Sequence, residues 1–262
     1  IAEAAIDPTS AVTLTQRIKA DYVMLAGKRL HCINEANEYR NGSLLLRVYN
    51  DGIAFRSASS SSTVYRIPEG MTRWMQQWTE AYEGFFPMST TYKVKPEPSF
   101  SGVFKSAEGW NNRWGYPALL EPRPNVFVLL SEADIEHGQS ASCLYNDGEL
   151  FRVVADPCAS DHTPWRVAII GSLADVVEST LITDVSDPTK YDDVSWIHPG
   201  VVSWIYWAYN HGSNDYNIIK KYVDMAVTLH LPYVLIDAEW DEMRDGKTIE
   251  DAVAYAKSNG VR

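Results

Sequence analysis

The stretch YVLIDAEW, residues 233–240, decides the fold. It opens as an apolar run of strand length and closes on Asp237, with Glu239 two places later. Strands buried on both faces of a parallel sheet read as continuous apolar runs. In parallel α/β folds, ligands gather beyond the carboxyl ends of such strands. A run of this kind ending in two carboxylates therefore points to a ligand rim. Period 2 would place Asp237 and Glu239 on one face, provided the strand continues that far.

The flanking sequence supports parallel packing. VVSWIYWAY (201–209) is a first strand, ending near Tyr209, Asn210 and His211. SNDYNIIKKYVDMAVTLHL (213–231) is a helix that Asn214 or Asp215 can cap, with Ile218, Tyr222, Met225, Ala226 and Leu229 at helical spacing. DGKTIEDAVAYAKSNG (245–260) is a second helix, with Thr248 as cap, Asp251 three residues later and an Asn-Gly stop. Strand, helix, strand, helix with apolar strands predicts βαβ units. Two such units cannot close a barrel, so the expectation is a longer parent protein. The absence of an initiator Met or signal-peptide pattern before Ile1 carries the same expectation for the start.

Residues 1–190 carry a different pattern. GSLLLRVYNDGIAFRSAS (42–59) and SCLYNDGELFRVV (142–154) each hold two apolar runs broken at Asn-Asp-Gly, a hairpin signal. PALLEPRPNVFVLLSEAD (117–134) breaks at Arg-Pro-Asn. TPWRVAIIGSLADVVES (163–179) contains a continuous apolar strand, Val167 to Ile170, ended by Gly171. Short strands at this spacing predict a β-sandwich or barrel. GMTRWMQQWTEAYEGFF (70–86) fits either a helix or an extended aromatic strand. The Pro/Asp/Gly-rich SDPTKYDDVSWIHPG (186–200) marks the boundary between 1–190 and 191–262.

Composition narrows the function. Of 262 residues, 45% are hydrophobic and 22% charged, as in a folded domain. The formal net charge of −11 argues against a nucleic-acid partner. No apolar window is long enough for a transmembrane helix, and no membrane partner is expected. Cys32, Cys143 and Cys158 form no metal-binding spacing and do not settle the compartment. His198, His211 and His230 show no zinc pattern, and Walker, GxGxxG and GxSxG signatures are absent. Nine Trp and fifteen Tyr suit stacking on sugar rings and suit an ordinary core equally.

Several long motifs, in order, resemble glycoside hydrolase family 97. They are NEANEYRNGSLLLRVYNDGIAFR (34–56), GYPALL (115–120), LLSEADI (129–135), TPWRVAIIG (163–171), VSWIHPGVVSWIYWAYNHG (194–212) and NDYNIIKKYVDMAVTLHLPYVLIDAEW (214–240). The resemblance implies an N-terminal all-β super-sandwich, incomplete at its start, followed by the first βα units of a (β/α)8 barrel. It implies a periplasmic or secreted glycosidase with calcium in its site, acting on an oligosaccharide as a monomer or weak homodimer. The activity implied is a retaining α-galactosidase. The alternatives are an inverting α-glucosidase of the same family and a non-catalytic carbohydrate-binding protein.

The family's catalytic acid and its base or nucleophile come from later barrel strands, so no catalytic residue is assigned within this chain, which by itself would be inactive. By the same resemblance, Glu132 of the Glu-Ala-Asp motif is the candidate calcium ligand. The alternatives are that Glu132 is a surface hairpin charge or that Glu83 fills the role. Asp237 is the leading substrate-binding candidate, with Glu239, Trp240, Trp207 and Tyr209 behind it. Arg166 is read as half of a structural salt bridge, with pairing to an acid across the domain interface as the alternative.

Overall fold

The computed structural model describes residues 2–3, 8–58, 62–78, 84–93, 112–136, 138–155, 160–206, 212–244 and 246–262. Glu83, Cys158, Trp207, Tyr209, Asn210 and His211 lie outside the described residues. The chain divides into two compact units, Ile1–Lys190 and Tyr191–Arg262.

The first unit is an antiparallel two-sheet sandwich. Its strands are β1 (Ala2–Glu3), β2 (Thr13–Val23), β3 (His31–Asn41), β4 (Leu44–Tyr49), β5 (Gly52–Arg56), β6 (Val64–Arg66) and β7 (Thr72–Trp74). These are followed by β8 (Met88–Ser89), β9 (Arg113–Trp114), β10 (Ala118–Arg123), β11 (Val126–Ala133), β12 (Cys143–Asp147), β13 (Leu150–Val154) and β14 (Trp165–Gly171). Nine strands form one sheet in the order β2-β3-β4-β5-β14-β11-β10-β7-β8, and five form the other, β1-β6-β13-β12-β9.

Alternation along the strands sorts the side chains onto two faces. Phe55, Leu120, Val128, Leu130 and Ala168 meet Tyr65, Trp114, Leu144 and Phe151 of the smaller sheet to form the inter-sheet core. Ala36, Ala54, Trp165, Val167 and Ile169 point the other way. There they meet α1 (Leu173–Glu178) and α2 (Leu181–Val185) through Val176, Leu181 and Val185. Strand β14 is therefore covered on both sides, which is why Val167–Ile170 reads as an unbroken apolar run within an antiparallel sheet.

The two short helices are pinned to the sheet by polar contacts. Ser172 and Asp175 form a reciprocal capping box at the start of α1. Asp184 of α2 accepts hydrogen bonds from the Tyr22 hydroxyl at 2.6 Å and from Thr180 Oγ1 at 2.9 Å. Burial pushes its carboxyl above the ordinary range. The stretch 70–86, open between helix and strand in sequence, is extended at Thr72–Trp74, which pairs with both β10 and β8.

The two Asn-Asp-Gly triplets do different work. Asn146-Asp147-Gly148 places Gly148 in the β12–β13 turn at φ +60°, a conformation glycine enters without steric cost. In Asn50-Asp51-Gly52 the glycine is instead the first residue of β5, paired with Tyr49. A Cβ on Gly52 would lie 2.3 Å from the Ala168 carbonyl oxygen and 2.8 Å from Leu181 Cδ1.

The second unit holds β15 (Val202–Trp204), a 3₁₀ turn at Gly212–Asn214, α3 (Tyr216–Thr228), β16 (Tyr233–Leu235) and α4 (Ile249–Ser258). The two strands are parallel, with Val202 opposite Tyr233 and Trp204 opposite Leu235. Ile205, Ile219, Val223, Ala226, Ala252, Ala256 and Val261 form the core beneath them. Asp215 caps α3 through the amides of Asn217 and Ile218. Thr248 and Asp251 form a capping box on α4. Both helices end in the same double hydrogen bond, Leu231 N–H to Ala226 O with His230 N–H to Val227 O, and Val261 N–H to Ala256 O with Gly260 N–H to Lys257 O. This is the Schellman stop, built on Gly260 in one helix and on His230 at φ +56° in the other.

The Gly52 contact gives a direct test of the sandwich. Gly52→Ala is expected to destabilise the chain by about 1–3 kcal/mol in urea unfolding, because the added methyl meets backbone it cannot displace. An unchanged midpoint would contradict the close approach of β5 to β14.

Candidate functional site

In the second unit, the parallel pairing brings the carboxyl ends of β15 and β16 to one edge. Asp237 lies two residues beyond β16, half-buried. Its Oδ2 accepts the Trp204 indole N–H at 2.8 Å, and its Oδ1 accepts the amide of Ala238 at 2.6 Å. Its own amide donates to Ser213 Oγ at 2.8 Å. The carboxylate is thus fixed by the last residue of one strand, while its backbone is fixed by the 3₁₀ turn.

Glu239 is not on the strand face that period 2 would give it, because β16 ends at Leu235. It sits in the following turn at φ +69°, where a residue with a Cβ is strained. Its Oε2 accepts from Asn214 Nδ2 at 2.8 Å. Ser213 and Asn214, both buried, therefore each hold one of the two acidic positions. Sequence reasoning assigned Asn214 only as a helix cap and did not single out Ser213. The available signal was a small polar pair placed directly after the first strand, in the loop that forms the same rim.

Trp240 is half-exposed in the same turn, as is Trp204, which stacks on Tyr206 with ring centroids 6.0 Å apart and planes inclined by 15°. Trp207 and Tyr209, the aromatic candidates from sequence, fall outside the described residues. Chemically, this edge offers carboxylate acceptors and flat aromatic faces, a combination that suits sugar hydroxyls and sugar rings.

The first unit holds the other candidate, Glu132 on β11. It lies directly opposite Arg166 on β14, and the two side chains form an ion pair inside the sandwich. Glu132 Oε1 also accepts the Ser142 amide at 2.8 Å, and Oε2 accepts the Ser142 hydroxyl. Arg166 thus takes its partner within this unit. Burial pushes the hydroxyl of Tyr65 up to about 12 and that of Tyr116 well above its ordinary value, with Arg166 opposing the shift in both.

Calcium takes six to eight oxygens. Glu132 offers one carboxylate already shared with a guanidinium, so its described surroundings do not make a calcium shell by themselves. Among the described residues, one group of three carboxylates, Asp134, Glu136 and Asp187, brings ligand oxygens within 4.8 Å of one another.

Comparison with known proteins places these features. A family model described as Glycosyl-hydrolase 97 N-terminal matches residues 5–188. A protein of Streptomyces bingchenggensis named probable retaining alpha-galactosidase is 27% identical over 247 residues, covering 83% of this chain and 36% of the relative. A retaining alpha-galactosidase of Bacteroides thetaiotaomicron is 30% identical over 285 residues, covering 82% of this chain and 40% of the relative. The chain thus spans well under half the length of these relatives.

Among solved structures, a Glycoside Hydrolase Family 97 enzyme from Pseudoalteromonas sp. strain K8, in complex with acarbose, superposes with a TM-score of 0.71 at 18% identity. The match covers 96% of this chain and 45% of that one. A beta-arabinopyranosidase superposes with a TM-score of 0.66 at 22% identity, covering 96% and 46% of the two chains. At these identities the likeness is one of fold.

The buried ion pair predicts an asymmetry between single and double replacements. Glu132→Gln or Arg166→Met alone is expected to cost about 3–5 kcal/mol, since each strands a buried charge or its donors. The double variant Glu132→Leu/Arg166→Met is expected to cost less than either. Urea unfolding of all three checks this, and additive losses would contradict an isolated pair.

Proposed function

Since this chain belongs to glycosyl hydrolase family 97, we propose that it forms the N-terminal sandwich and the first βα units of a (β/α)8 barrel in a retaining α-galactosidase. The observation that carries this reading is Asp237, a fixed carboxylate just beyond the carboxyl end of a parallel strand. The names of the relatives at 27% and 30% identity favour galactosides over glucosides and retention over inversion.

In this proposal Asp237 accepts hydrogen bonds from hydroxyls of the bound sugar. An ionised acceptor gives bonds about twice as strong as a neutral one. Trp204 holds the carboxylate in one rotamer before the sugar arrives, so little ordering is left to be done on binding. Trp204 and Trp240 offer faces for the ring. Glycosidases of this kind pass through an oxocarbenium-like transition state between two carboxyl groups, about 5–5.5 Å apart where configuration is retained. Asp237 is assigned to binding and not to either of those roles.

Calcium enters the proposal only through the family resemblance, with Glu132 as its candidate ligand, which would be shared with Arg166 and Ser142. No step of the reaction is routed through the ion. A periplasmic or secreted location belongs to the same proposal, on the strength of the family resemblance.

The whole protein is expected to hydrolyse p-nitrophenyl α-galactoside faster than the α-glucoside. Proton NMR should show the α-anomer of galactose first, and a calcium chelator should lower the rate. No hydrolysis of either substrate would refute the enzyme assignment, and a first-formed β-anomer would replace retention with inversion. Asp237→Asn is expected to lower kcat/KM by about 10- to 100-fold through the loss of a charge-assisted hydrogen bond. Unchanged kinetics would remove Asp237 from the site.

A further inference from the structure

On the helix-covered face of the nine-stranded sheet, Arg40, Leu45 and Arg56 stand in one row across β3, β4 and β5, each paired directly with the next. Arg56 is held in place by Trp165, its guanidinium carbon lying 4.6 Å from the ring centroid. Arg47 lies over the same indole at 4.4 Å but is paired with Glu38 at 3.0 Å. Among the described residues, the guanidinium groups of Arg40 and Arg56 have no hydrogen-bond or ion-pair partner. Two arginines without an ion-pair contact, two strands apart on one face, run against the general character of a chain with 34 acidic and 23 basic residues.

Both arginines line a pocket of about 280 Å³ with Ser43, Ser57, Asp161 and His162. Its volume is near the lower bound of small-molecule sites, about 300 Å³, and suits a single sugar ring. His162 Nδ1 is 2.6 Å from Asp161 Oδ1. That hydrogen bond is the main reason the Asp161 carboxyl is held below its ordinary range. The imidazole Nε2 is shut off from solvent, so His162 serves the pocket by orienting the Asp161 carboxylate. The pocket thus combines two forked cationic donors, two hydroxyls and one carboxylate acceptor.

We propose that this pocket is a binding site for an acidic sugar, with the carboxylate of a uronic acid between Arg40 and Arg56 and a ring hydroxyl donating to Asp161. The donors match an oxyanion, since the guanidinium fork binds two oxygens of one carboxylate in its plane. The Asp161 acceptor matches a hydroxyl, which a bare sulfate ion does not carry. The choice of a sugar skeleton rests on the carbohydrate reading of the family, whereas the acidic group follows from this pocket alone. Such a site would hold a charged branch or end of a glycan on the sandwich, independently of hydrolysis.

Isothermal titration of the 262-residue chain with galacturonate, galactose and sodium sulfate at matched ionic strength tests the proposal. Galacturonate is expected to bind, with galactose and sulfate each weaker by about tenfold or more. Arg40→Gln and Arg56→Gln should each weaken galacturonate by about tenfold, with unchanged thermal melts. Arg40 is exposed, so its variant keeps the test open if the Arg56 variant fails to fold. Absence of galacturonate binding, sulfate or galactose binding as tightly, or variants that keep full affinity would each overturn the assignment. Because hydrolysis is not measured, failure here leaves the glycosidase reading standing, and an inactive whole protein leaves this site standing.

Discussion

The parallel pairing of two three-residue strands, Val202–Trp204 with Tyr233–Leu235, is the constraint from which the candidate rim follows. A parallel pair needs a long crossover, and α3 supplies it by burying Ile219, Val223 and Ala226 beneath the strands. Once the strands run the same way, their carboxyl ends share one edge. The 3₁₀ turn after the first strand then falls beside the turn after the second. Ser213 meets the amide of Asp237, Asn214 meets Glu239, and Trp204 meets the Asp237 carboxylate. Antiparallel strands would have sent these groups to opposite ends.

The sandwich applies a different rule to its charges. Arg166 and Glu132 sit opposite each other across β14 and β11, on the face that packs against the smaller sheet. A lone charge there would be costly, and the pair with Ser142 satisfies it. On the other face of the same strand, Trp165 lies under two guanidinium groups, of which, among the described residues, only that of Arg47 forms an ion-pair contact. Strand β14 thus takes part in a closed ion pair on its inner side and, on its outer side, props Arg56 of the row on β3–β5. The first is a stability feature, and the second is available to a ligand.

What could be read in the sequence follows the range over which each signal acts. The hairpins at 44–56 and 143–154 and the caps at Asp215 and Thr248 were legible because turns and helix ends are set by residues close in the chain. The continuous run at Val167–Ile170 was legible as a strand, but two-sided burial depends on α1 and α2, whose six and five residues are too short to show a helical period. The Ser172–Asp175 spacing was an available signal for α1 that the sequence reading did not use. The stretch 70–86, rich in helix formers, is extended at Thr72–Trp74 because pairing on both sides outweighs local propensity. The salt bridge of Arg166 was the reading preferred from sequence, yet its partner Glu132 depends on strand register and could not be named. Glu239 was placed by period 2 on a strand that stops four residues earlier.

The central claim is that Asp237 is a preset acceptor for a sugar, held by Trp204. A crystal structure of the whole protein with bound galactose tests it most directly. An Asp237 oxygen should lie within about 3 Å of a galactose hydroxyl, with the indole hydrogen bond still in place. A sugar bound with no contact to Asp237, or that carboxylate enclosed by apolar side chains, would contradict the account.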